Sequence, residues 1–142
     1  VALMPKPRRS AVVATSGAAL RVNAVTAAGE GTPGDVLTGP EVSMEVDVLA
    51  PEWLPVDRLE LWRNGSVLET VSIDATPRSG LRLRAVLSDA PAEDAVYHLI
   101  ASSDRGASVG FPGHRGLAVT APIYLDVDGD GWQPPLEPVS SP

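Results

Sequence analysis

From residue 41 to residue 49 the chain reads EVSMEVDVL, and the two-residue period of this run constrains the fold more than any other feature. Val42, Met44, Val46 and Val48 fall on one side of an extended backbone, with Ser43, Glu45 and Asp47 on the other. One face therefore meets a core and the other meets water. The same period returns at 19–25, where Leu20, Val22 and Ala24 alternate with Arg21 and Asn23. It returns again at 81–87, where Leu81, Leu83, Ala85 and Leu87 alternate with Arg82, Arg84 and Val86. No stretch carries a convincing helical period, and 14 prolines with 13 glycines break the chain into short elements.

The remaining strand signals are shorter. Residues 10–15, 57–63, 66–73 and 95–102 are β-rich, and a brief strand is expected at 35–37 inside the glycine-rich loop 27–40. Asn64-Gly65 joins two of these runs and predicts a tight hairpin with a type I′ turn. Asn64-Gly65-Ser66 also spells a glycosylation acceptor, but the turn accounts for the same residues. Residues 103–116 read as a Gly/Ser loop ahead of a final strand over 119–127. Seven to eight short strands separated by turn signals predict an all-β sandwich. Its core is expected to hold Val42, Met44, Val46, Val48, Leu59, Leu61, Leu81, Leu83, Tyr97, Leu99, Val119 and Ile123.

The final strand runs into LDVDGDGWQPPLE, an acidic loop. Asp126, Asp128 and Asp130 stand two residues apart, and carboxylates so close repel one another unless a cation lies among them. Hard oxygen ligands at alternate positions suit Ca²⁺. With Asp126 at position 1 of a 12-residue calcium loop, Asp128 and Asp130 take positions 3 and 5, and Gly131 makes the turn at 6. Trp132 offers its backbone carbonyl at 7, water serves at Pro134, and Glu137 closes the loop at 12. Pro134 and Pro135 disfavour an exit helix, so the loop departs from an EF-hand. The competing reading is a bare Asp-Gly surface turn.

Composition limits the partners. A net charge of −7 leaves no spare cations for phosphate, which argues against nucleic acid, and no apolar run is long enough to insert in a membrane. Cysteine is absent, so there is neither a disulfide framework nor a thiolate metal site. A calcium loop without a helical frame fills best outside the cytosol, which favours an extracellular or periplasmic setting. Residues 1–9, with Lys6, Arg8 and Arg9 interrupted by Pro5 and Pro7, read as a linker. The sandwich is expected over 10–137 with its calcium loop at 126–137, and 138–142 form a tail. A start at Val1 suggests a fragment or processed product of something larger.

Gly106-Ala107-Ser108-Val109-Gly110 matches the nucleophile-elbow pattern, with Asp104 and His114 near it in sequence. That elbow needs a strand before it, a helix after it and an α/β sheet beneath, so no catalytic role is expected of Ser108 here. His98 sits within an apolar strand and reads as a packing residue. Trp53, Trp62 and Trp132 leave a second class open, a carbohydrate- or cell-surface-binding module.

Two resemblances sharpen these readings. EDAVYHLIA, at 93–101, resembles the F strand of immunoglobulin-like domains, with Tyr97 in the tyrosine-corner place and Leu99 where a cysteine often stands. APEWLPVDRLELWRNG at 50–65 and LAVTAPIYLDVDGDG at 117–131 resemble the C-terminal domain of bacterial CehA/McbA-type metallohydrolases, and SAVVATSGAALRV at 10–22 resembles the junction leading out of their PHP-type catalytic domain. The resemblance implies an immunoglobulin-like accessory domain, itself not an enzyme, attached to the catalytic domain of a larger metal-dependent hydrolase; with the calcium loop, the expectation is a Ca²⁺-stabilised module of an exported protein.

Overall fold

A computed structural model describes residues 13–14, 17–74, 79–106 and 115–134. Among them are eleven strands and no helix: β1 (Val13–Ala14), β2 (Ala19–Thr26), β3 (Gly29–Gly31), β4 (Val36–Thr38), β5 (Val42–Ala50), β6 (Arg58–Arg63), β7 (Ser66–Ser72), β8 (Gly80–Asp89), β9 (Ala95–Gly106), β10 (Arg115–Val119) and β11 (Ile123–Asp126). Three of these have only two or three residues, and eight have four or more. No helix among the described residues is long and apolar enough to cross a membrane.

The strands form two sheets. One runs β1-β2-β5-β8, with β3 beside β2, and the other runs β4-β11-β9-β6-β7, with β10 beside β9. The inward residues of both belong to one hydrophobic cluster, so the chain is a β-sandwich. Strands β2, β5 and β8 take the A, B and E places of an immunoglobulin-like order, while β6, β9 and β11 take C, F and G with β7 beside β6 as C′. At the centre of the first sheet β5 pairs with both β2 and β8, and Val42, Met44, Val46 and Val48 are all at 0% exposure. Leu59, Leu61, Tyr97, Leu99 and Ile123 fill the core from the second sheet.

The hairpin between β6 and β7 turns at Asn64 and Gly65, both at positive φ (52° and 83°), as a type I′ turn requires. Asn64 is also docked sideways: its Oδ1 accepts the Val96 N–H at 2.9 Å, and its own N–H donates to the Val96 carbonyl at 2.9 Å.

Five expectations are corrected. Leu81 is not in the core but 40% exposed, and Arg82 is buried in its place at 2%. The register explains this. Val48 faces Leu83 while Leu49 faces Leu81, so Arg82 is the extra residue of a β-bulge, and the faces of β8 are exchanged before it. Leu83, one residue past the bulge, is only partly buried against the core. The final strand is not continuous over 119–127 but breaks at 120–122, where Pro122 cannot donate to the ladder. Val119, on the first part of it, is half-buried, and Ala118 is the residue that reaches the core. Finally, β9 continues to Gly106 and β10 starts at Arg115, so the 103–116 loop is shorter than expected.

Candidate metal centre

The acidic loop leaves the sandwich where β11 ends. Antiparallel pairing of β11 with β9 sets Leu125 opposite Ala95, so the residue before β9, Asp94, comes beside the last residue of β11, Asp126. Single ligand oxygens of Asp94, Asp126, Asp128 and Asp130 all lie within 4.8 Å of one another. Three of these were legible as a spaced motif in the sequence. Asp94 was not: it is far upstream, and only the pairing of β11 with β9 brings it in.

Backbone amides hold the two inner carboxylates. Asp126, 4% exposed, accepts the Gly129 N–H on Oδ1 at 3.0 Å and the Gly131 N–H on Oδ2 at 2.8 Å. Gly129 and Gly131 have φ of +77° and +99°, a left-handed backbone that glycine adopts freely and that curls their amides toward Asp126. Asp94 accepts Val127 N–H on Oδ1 and Gln133 N–H on Oδ2, each at 2.9 Å, so it bridges both ends of the loop. A carboxylate has about four lone-pair sites, so each oxygen keeps one for a cation after accepting an amide.

The outer pair, Asp128 and Asp130, is exposed. A proton shared with Asp128 is the first reason, and lost solvation the second, that the Asp130 carboxyl is pushed up to about 6. The same hydrogen bond from Asp130 pushes Asp128 below the usual carboxylate range. None of the ion pairs among the described residues reaches these four aspartates.

The donor set fits a hard divalent cation. Four carboxylate oxygens within 4.8 Å of one another can converge on a single ion. A cleft of about 230 Å³ opens beside it, lined by Glu93, Asp94, Asp128, Asp130 and Gln133 among others, so water has access to any remaining coordination positions.

Trp132 also serves the loop through its side chain. Its indole N–H donates to the Ala95 carbonyl at 3.0 Å and its ring meets Tyr124 edge-on at 4.9 Å, so its side chain anchors the loop to the sandwich. Glu137 lies outside the described residues, as do Ser108 and His114 of the elbow motif. Asp104, the acidic neighbour of that motif, accepts two hydrogen bonds from Arg58 at 2.9 and 3.1 Å. His98 is half-buried opposite Trp62, with no part in the acidic cluster. The tryptophans are engaged separately: Trp53 packs on the core and Trp132 on Tyr124, while the Trp62 indole N–H is buried with no partner.

Compared with known proteins, the chain matches no family model, no curated protein and no solved structure.

Proposed function

We propose that this chain is a non-catalytic β-sandwich accessory module whose acidic loop binds Ca²⁺, and that it belongs to a larger exported protein with a PHP-type metal-dependent hydrolase domain ahead of it. The observation that carries the calcium reading is the arrival of Asp94, from a different loop, within ligand distance of Asp126, Asp128 and Asp130. A bare turn would account for the Asp-Gly spacing. It supplies three carboxylates, and the fourth comes from before β9.

In this role Asp94, Asp126, Asp128 and Asp130 supply carboxylate oxygens, with the Trp132 carbonyl and water adding to the shell. The ion neutralises their mutual repulsion and ties the start of β9 to the chain beyond β11. Its work is structural, and the hydrolytic chemistry belongs to the preceding domain. The attachment to a hydrolase rests on the sequence resemblance.

Thermal melting of chelator-treated protein tests the metal reading. The midpoint should rise with added Ca²⁺ and respond far less to Mg²⁺, which resists dehydration and demands tight octahedral geometry. Indifference to Ca²⁺ and chelator alike returns the loop to an acidic turn. The reading of the parent is tested by the gene sequence immediately upstream of Val1, where His/Asp metal motifs of a PHP-type domain should be encoded. Saturable binding of the module to any sugar on a glycan array would instead favour the carbohydrate-binding class.

A further inference from the structure

Asp94 sits at the end of a short connection that crosses from β8 in one sheet to β9 in the other. The two ends of that connection are tied together. The Tyr97 hydroxyl, from the third residue of β9, donates to Asp89 Oδ2 at 2.7 Å, and Asp89 is the last residue of β8. Arg63 at the end of β6 donates to both oxygens of the same carboxylate, at 2.9 and 3.3 Å. Tyr97 is fully buried, and the Asp89 side chain is only 14% exposed.

A tyrosine in this place of an immunoglobulin-like fold ordinarily bonds a backbone group a few residues upstream. Here it reaches a side chain across the mouth of the loop that presents Asp94. We infer that the Tyr97–Asp89 hydrogen bond closes residues 90–94 into a ring and that Tyr97 and Asp89 are positioning residues for Asp94. Neither touches the acidic cluster. They fix the backbone on both sides of the residue whose carboxylate receives the Val127 and Gln133 amides. The consequence for cation affinity rests on the calcium reading above; the consequence for the loop does not.

The experiment combines amide hydrogen exchange by NMR, without metal, with calcium titration by calorimetry. In Tyr97→Phe the Val127 and Gln133 amides should exchange about tenfold faster, the weight of one charge-assisted hydrogen bond, while the Met44 and Val46 amides keep their ranking as the slowest. Calcium affinity of the folded variant should fall by a similar factor, a change that a loss of global stability alone would not produce. Asp89→Ala removes the acceptor of the same bond and makes the same prediction should Tyr97→Phe fail to fold. Asp89→Asn retains an acceptor oxygen and should restore most of the protection. Unchanged exchange at Val127 and Gln133 in both Tyr97→Phe and Asp89→Ala overturns the proposal, as does unchanged calcium affinity where the wild type binds. Faster exchange in a protein whose wild type takes up no calcium upholds the ring and removes only the cation reading.

Discussion

The two ends of the sandwich hold charge by the same device and with opposite results. Where β8 begins, the buried Arg82 donates through Nη2 to the carbonyls of Pro51 at 2.6 Å, Leu54 at 2.9 Å and Glu52 at 3.4 Å. Where β11 ends, backbone N–H groups close on the carboxylates of Asp94 and Asp126. Backbone dipoles solvate a charge in both places. At the first end one cation meets several carbonyls. At the second, four carboxylates are gathered and the ion pairs of the described residues leave them unneutralised. An end whose cation is already met by carbonyls should respond less to ions in solution than an end with surplus negative charge.

Arg82→Ala should give the largest effect. It leaves carbonyls buried without their donor, which costs about 3 kcal/mol or more, and urea unfolding should report that loss equally with and without calcium. A loss that calcium repairs would break the contrast between the ends. Calcium itself comes next: bound only to the folded state, it should stabilise by about 2.7 kcal/mol at a hundredfold excess over Kd. Asp126→Asn should abolish that increment while leaving a folded sandwich, because the loop follows the last strand and adds little to the core.

Acidity should act at the second end alone. With Asp130 raised to about 6 from an ordinary 3.8, its protonated form is the one that the fold favours. That contribution is full below 3.8 and is lost as pH rises through about 6, so the calcium-free melting midpoint carries a step downward over this interval. Proton and cation compete for the same oxygens, so calcium affinity should tighten over the same range. Calorimetry across a pH series measures both, and affinity that weakened with rising pH would contradict the assignment. The smallest effect should come from Arg84→Ala. Two residues from Arg82 but 71% exposed, Arg84 pairs with Asp47 at the surface, and its loss should leave the midpoint where it was. The difference between the two arginines isolates burial from charge.

Much of the fold was legible because its strands keep strict parity. The alternation of Val42, Met44, Val46 and Val48 could be satisfied only by a half-buried strand, and Asn64-Gly65 only by a tight turn. Arg82 was hidden because a bulge adds one residue to a strand without altering its alternation, so Leu81, Leu83, Ala85 and Leu87 read as one face when the first of them is not on it. Asp94 was hidden for another reason. Local spacing identifies ligands within a loop, whereas a ligand contributed by a second loop depends on strand pairing. A signal existed: once β9 and β11 are taken as antiparallel neighbours, the start of one must lie near the end of the other.

The account turns on Asp94 as a member of the cation site, and calorimetric titration of Ca²⁺ into chelator-treated wild type and Asp94→Asn tests it most directly. The account predicts one saturable site in the wild type and at least a tenfold loss of affinity in the variant, about 1.4 kcal/mol or more. Calcium binding with equal affinity in both proteins would contradict it, and so would a wild type that takes up no calcium.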